Sequence, residues 1–202
     1  LLRQALPQAR IEVLSNIHRV HPGGGRPHAE RRDLVFIGGW QHPPNADAID
    51  WIAGEILPRL REALPDIRVH LLGDLPAAVR TRLAAVPGLV AHGRVAALEP
   101  WLDGCLAALA PLRFGAGVKG KINTAMSHGL PVIATPLAIE GMHLIPGRDV
   151  LLADDAAGFV AAVSQLMHDA GLWQELAEHG RDNVRRYFSP KAAAAVLERV
   201  LA

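Results

Sequence analysis

The chain has 202 residues, of which 50% are hydrophobic and 20% charged, and its formal net charge is +1. That length suits one sizeable core and sits at the limit for two small domains. The composition excludes a disordered chain, gives no electrostatic footprint for nucleic acid, and leaves no run of about 18 apolar residues to span a bilayer.

The opening Leu-Leu-Arg-Gln-Ala-Leu6 has no initiator Met and no signal-peptide pattern, and reads as the interior of a helix in an excised fragment. Ile11–Ser15 is predicted as a short strand. Val20 to Arg32 holds Pro22, three consecutive glycines, Pro27 and several charges, poor material for helix or strand, and reads as a linker. The main boundary is expected near Glu30, dividing residues 1–30 from a domain over 31–202.

Strand-like and helix-like runs then alternate. Leu34–Gly38 is the first strand of this domain. Asn45 to Leu64 has apolar residues at helical spacing, opened by Pro44 and Asn45 and bent or interrupted at Pro58. Strands follow at Ile67–Leu72, Leu89–His92, Leu106–Ala110, Val132–Thr135 and Asp149–Leu152. Helices are expected at Ala77–Val86, Leu98–Asp103, Lys119–His128, Ala156–Met167, Leu172–Arg186 and Lys191–Leu201. Short, doubly apolar strands separated by helices imply an α/β fold, a doubly wound Rossmann-like parallel sheet with helices on both faces.

In such a sheet ligands bind beyond the carboxyl ends of the strands. Those ends are Gly38-Gly39, Gly73-Asp74, His92-Gly93, the Phe114 to Lys121 loop and Pro136 to Gly141. Glycines can merely end strands, which suits Gly73 and Gly93 better than the dense 115–120 cluster. There, Gly115, Gly117 and Gly120 surround Lys119 and Lys121 where a strand gives way to a helix. Glycines admit backbone N–H groups close to an anion, a helix N-terminus adds a favourable dipole, and lysines add full charge. That combination suits a diphosphate. Lys119 and Lys121 cannot share one face of a regular helix, but in the turn before it both can reach a pyrophosphate. Arg113, nearer the strand end, is a further candidate for neutralising the ligand.

No Gly-x-Gly-x-x-Gly follows the first strand, and Gly120-Lys121-Ile122 lacks the hydroxyl of a nucleoside-triphosphate loop, so neither motif is present. The Thr124 hydroxyl has two uses, a ribose or sugar contact or a bond back to its own helix carbonyl. Glu140 is the only carboxylate in the loop after the fifth strand, with His143 nearby. Trp51, Trp173 and Met126 are expected in the core, and Trp40 against the cleft. Cys105, the single cysteine, excludes an internal disulfide and sits in an apolar run as a small buried hydrophobe, a usage that suits a reducing compartment. His18 and His21 lie beside Pro22 and the glycines, and no metal site is expected.

Three stretches together resemble the donor-binding C-terminal domain of glycosyltransferase family 4, whose members have the two-domain GT-B fold. They are Leu34-Val-Phe-Ile-Gly-Gly-Trp-Gln-His-Pro-Pro-Asn-Ala-Asp-Ala-Ile49, Ala110-Pro-Leu-Arg-Phe-Gly-Ala-Gly-Val-Lys-Gly-Lys-Ile-Asn-Thr-Ala-Met126 and His128-Gly-Leu-Pro-Val-Ile-Ala-Thr-Pro136. Asn183-Val-Arg-Arg-Tyr-Phe-Ser-Pro190 is similar to the family's closing helices. The resemblance covers about residues 33–202, and makes 1–30 the tail of an acceptor-binding domain with its linker.

The resemblance implies transfer of a sugar, with retained anomeric configuration, from a nucleotide-sugar donor to a glycan, lipid-linked or other acceptor, as in cell-envelope polysaccharide synthesis. It implies no cofactor and no essential metal. Gly38 and Gly39 would approach the donor phosphates, and Lys119 and Lys121, with Arg113, would compensate the departing diphosphate. Arg94 and Val95 would border the base, and Thr124 would meet the ribose. Gly117, Val118, Asn123 and Glu140 complete the expected donor-binding set. The acceptor would be held mainly by an N-terminal domain that this fragment lacks, so the fragment alone is expected to be inactive. The full-length protein is expected in the cytoplasm, with peripheral association at the inner face of the membrane. Thr124 stands where the family commonly has Glu, the earlier Glu of the usual pair is absent, and Gln41 and Asn45 occupy the region of the usual Arg and Lys. Two other readings are a non-catalytic nucleotide-sugar-binding domain and a nucleotide-sugar epimerase, the latter relying on Glu140 and His143.

Overall fold

Six apolar runs become six strands: β1 (Arg32–Ile37), β2 (Val69–Leu72), β3 (Leu89–Gly93), β4 (Cys105–Ala110), β5 (Val132–Ala134) and β6 (Leu151–Leu152). The computed structural model describes residues 2–9, 11–22 and 25–201. All six strands are parallel, in the order β3-β2-β1-β4-β5-β6. Leu34 of β1 lies beside Val69 on one side and Ala107 on the other. β4 is buried at every position, as a strand covered on both faces must be. The chain winds outward from β1 in one direction and from β4 in the other, so the β1/β4 junction is the topological switch point.

The helices are α1 (Leu2–Ala5), α2 (Pro43–Trp51), α3 (Leu57–Ala63), α4 (Ala77–Ala84), α5 (Glu99–Leu102), α6 (Gly120–Ser127), α7 (Ala156–His168), α8 (Ala170–Tyr187) and α9 (Pro190–Leu201). α7 packs on β4, β5 and β6 and against α3, whereas α6 packs on β4 and β5 and against α8. These contacts give the sheet its two helical layers. Trp51 of α2 meets Phe159 of α7 edge-on, with ring centroids 5.7 Å apart. Trp51 and Trp173 are core residues as expected, and Met126 and Cys105 are buried. Burial in this apolar strand pushes the Cys105 thiol up to about 12, so it stays protonated.

The helix predicted over 45–64 is interrupted just before Pro58, as expected, but does not end there. It widens into a π turn at Ile52–Ile56 and continues as α3. Proline has no N–H to donate, and its ring would collide with the carbonyl four residues back. One wider turn relieves both problems while the apolar face stays in register.

Residues 11–15 are not a strand. The segment lies against no sheet edge, and Val13, Leu14 and Ile17 remain exposed. It runs instead past the helix ends: His18 N–H donates to the Phe188 carbonyl at 2.7 Å and His21 N–H to the Ser127 carbonyl at 2.9 Å. In the expected linker, Gly23 and Gly24 lie outside the described residues, His28–Glu30 forms a 3₁₀ turn, and Arg32 already belongs to β1.

Arg31, just before β1, is only 4% exposed. Its guanidinium donates to the carbonyls of Arg26 (2.8 Å), Leu102 (3.1 Å) and Cys105 (2.9 Å) and lies 4.5 Å from the Trp173 ring centroid. It ties the approach to β1, the start of β4 and α8 together at the amino end of the sheet. Among the described residues, no helix is long and apolar enough to cross a membrane.

Candidate functional site

The carboxyl ends of β1 and β4 open onto one rim. Gly38 follows β1, and its N–H donates to the Leu72 carbonyl at 2.8 Å. What Gly38 contributes to the rim is therefore space. A Cβ there would lie 2.8 Å from the Asn45 amide nitrogen and 2.9 Å from Lys121 Nζ, closer than real side chains sit. Gly73 (φ +150°) is constrained in turn, because a Cβ would strike the Gly38 carbonyl. Glycines at the ends of β1 and β2 thus let two strand ends and one lysine converge.

Lys121 lies in the first turn of α6, which begins after the loop from β4. Its Nζ donates to Asn45 Oδ1 at 2.5 Å and sits 4.1 Å from the Phe36 ring centroid. Among the described residues no carboxylate pairs with it. Burial, and then the like charge of Lys119, push its amine down from the ordinary 10.5 to about 7.

Lys119 occupies the N-cap position and turns back on its own loop, donating to the carbonyls of Gly115 (2.9 Å) and Gly117 (2.6 Å). The loop can curl around that amine because Gly115 and Gly117 adopt φ of +111° and +79°. Burial lowers the Lys119 pKa, and the charge of exposed Glu140 acts in the opposite sense. Val118, just before Lys119, packs against the core.

Arg113 is less free than its position suggested. It grips Asp47 of α2 with two hydrogen bonds, Nε to Oδ2 at 2.9 Å and Nη2 to Oδ1 at 2.5 Å, and stacks over Trp51 at 5.1 Å. The bond to Asp47 raises its pKa. In this arrangement Arg113 is a neutralised clamp from the β4 loop to α2.

Of the two α6 candidates, Thr124 is three residues beyond Lys121 and shares its face. Its hydroxyl makes no hydrogen bond among the described residues, so the bond back to its own helix is not formed. Asn123 is fully buried elsewhere: its Nδ2 donates to Asn16 Oδ1 at 3.1 Å, and its own Oδ1 has no partner. Arg94 and Val95 follow β3, two strands out from β1, with Arg94 exposed and Val95 packed partly on the core. His143 stacks on Tyr187, with ring centroids 4.3 Å apart. Trp40 is half-buried beside Gly39, with the Arg82 guanidinium 5.4 Å from its ring. Among the described residues, no group of three or more His, Cys, Asp or Glu side chains is arranged to hold a metal.

The rim thus brings Gly38, Gly39, Lys119, Lys121 and Thr124 around the switch point, sets Arg94, Val95 and Glu140 at its flanks, and turns Arg113 and Asn123 to other partners. Sequence reading missed Asn45 and Asp47. Asn45 did carry a signal, as the polar residue that opens the helix directly beyond the Gly38-Gly39 strand end.

The fold is shared with solved glycosyltransferase structures. TarM of S. aureus, solved in complex with fondaparinux, alpha-GlcNAc-glycerol and UDP, matches with a TM-score of 0.75 at 16% identity, over 98% of this chain and 41% of that one. HepE of Anabaena in complex with UDP matches with a TM-score of 0.69 at 14% identity, over 99% of this chain and 51% of that one. An uncharacterised 44.6 kDa protein of the cps region of Klebsiella pneumoniae is 22% identical over 167 residues, which are 79% of this chain and 43% of that protein. The chain spans about half or less of the length of each of these relatives, and corresponds to the Rossmann-like C-terminal half of the GT-B fold. The family profile described as glycosyl transferases group 1 matches residues 31–169, and the chain belongs to that family.

Proposed function

We propose that residues 31–202 are the donor-binding half of a retaining glycosyltransferase that uses a nucleoside-diphosphate sugar, and that residues 1–30 are the tail of its acceptor domain and the linker. The observation that carries this reading is the amine of the half-buried Lys121, largely desolvated at the switch point beside Gly38 and without a carboxylate partner among the described residues. A buried amine lacking a counter-charge is costly in an empty site and favourable beside an anion. As the sugar leaves, negative charge grows on the diphosphate. A fixed ammonium and the first-turn N–H groups of α6 act where that charge develops.

The relatives support the donor class, since TarM and HepE were each solved with UDP. The cps-region relative is in keeping with an acceptor on the way to a cell-envelope polysaccharide, made at the cytoplasmic side of the membrane. An epimerase would need a carboxylate or histidine facing the sugar, whereas Glu140 is exposed and His143 is stacked on Tyr187.

Titration calorimetry of the chain with the diphosphates of uridine, guanosine, adenosine and thymidine tests the reading. Weak binding of at least one is expected, and each parent nucleoside should bind more weakly still. No measurable heat with any of the four at millimolar concentration would overturn it.

A further inference from the structure

Among the described residues, Lys121 is held by a single neutral side chain, Asn45. Asn45 stands at the start of α2, where Pro43 and Pro44 before it restrict the backbone. Its Nδ2 donates to the Gly39 carbonyl at 3.0 Å, which turns its Oδ1 toward the Lys121 amine. An amide oxygen in that place anchors an ammonium without neutralising it, whereas a carboxylate of the same shape would do both.

The other surroundings of the amine agree. β1 presents the Phe36 ring, and the bare Cα of Gly38 follows directly after it. The loop after β4 presents Lys119, a like charge already bonded to two carbonyls. Asp47, two residues beyond Asn45 on α2, is occupied by Arg113. Among the described residues, no element packed against the amine supplies an unpaired negative charge.

We propose that Asn45 is a positioning residue, holding the Lys121 amine at the switch point without a counter-charge so that a bound diphosphate becomes its counter-ion. The statement rests on the donor-diphosphate reading. Its consequence is proton-linked binding. Burial places the empty-site amine at about 7, so near pH 8 it is mostly neutral. A diphosphate beside it favours the ammonium, and the proton is taken from the buffer.

Two measurements separate this proposal from the reading beneath it. In the first, the Lys121 side chain is followed by NMR against pH without ligand. Its midpoint is expected near 7 in the native chain and well above that in Asn45→Asp, where the carboxylate stabilises the ammonium. In the second, UDP is titrated near pH 8 in two buffers of different ionisation enthalpy. The native chain is expected to take up close to one proton, and its affinity to fall by up to about tenfold for each further unit of pH. Asn45→Asp is expected to take up almost none and to bind UDP at least about tenfold more weakly near pH 7, with uridine unaffected. Asn45→Ser, which keeps an oxygen acceptor, should retain the uptake. A Lys121 midpoint near 10 in both the native chain and Asn45→Asp would overturn the proposal while leaving UDP binding in place. An Asn45-dependent midpoint without binding of any of the four nucleoside diphosphates would overturn the donor reading instead.

Discussion

Replacing Lys121 with Met is expected to cut UDP affinity by about ten- to a hundredfold while making the fold more stable. The ammonium can give the diphosphate charge-assisted hydrogen bonds worth about 1.5–3 kcal/mol, and about 1.4 kcal/mol is tenfold in affinity. Uridine, which carries no phosphate, should bind both proteins alike. The gain in stability follows from the same burial. Among the described residues Lys121 bonds only the neutral Asn45, and Met fills similar space with no charge to desolvate, so a gain of about 1–3 kcal/mol near pH 7 is expected.

The pH dependence has a definite sign. With the folded amine at about 7 and the ordinary lysine value at 10.5, the unfolded chain holds the extra proton between those limits. The native chain therefore gains stability from this group as pH rises from about 7 toward 10.5. The Met variant lacks that rise, so its advantage should be full below pH 7 and fade above it. Urea denaturation near pH 6 and pH 9 measures both effects. A less stable Met variant, or an equal loss of UDP and uridine binding, would refute the assignment.

Arg31→Ala is expected to destabilise the fold by about 3–5 kcal/mol, as much as truncating a large core side chain. The side chain is 4% exposed, and its removal would leave the carbonyls of Arg26, Leu102 and Cys105 without that donor. It would also uncover the Trp173 face on which the guanidinium rests. Burial lowers the Arg31 pKa, and the charge of Asp103 is the largest effect opposing it. Arg31 sits at the amino end of the sheet, opposite Gly38 and Lys121, so the folded fraction should bind UDP unchanged. Denaturation midpoints together with calorimetry on the folded variant check both halves. A loss below about 1 kcal/mol would contradict this role.

Much of the architecture was legible because buried parallel strands are short, apolar and separated by helices. All six strands from Leu34 onward, and the helices between them, fall at or within a few residues of their expected places. Ile11–Ser15 misled because β-type composition does not by itself place a segment in a sheet, and among the described residues this one joins no strand ladder. The π turn arose because a proline's effect depends on whether the rest of a buried helix can stay packed. Within the site, the cationic glycine loop was legible by composition. The fates of Arg113 and Asn123 were not, because each is decided by a residue far off in sequence, Asp47 and Asn16 respectively. Arg31 gave no signal at all: a basic residue before a strand is ordinarily exposed, and only the converging carbonyls make it a core residue.

The central claim is that a nucleoside diphosphate sits at the β1/β4 switch point against Lys121. The most direct measurement is a two-dimensional amide NMR titration of the chain with UDP, repeated with the other diphosphates if UDP does not bind. Saturable shifts are expected at Gly39, Gly115, Gly117, Gly120 and Lys121, with none at Arg31 or along β6. Shifts confined to surfaces away from the Gly38 and Gly115–Lys121 rim, with the ligand demonstrably bound, would contradict it.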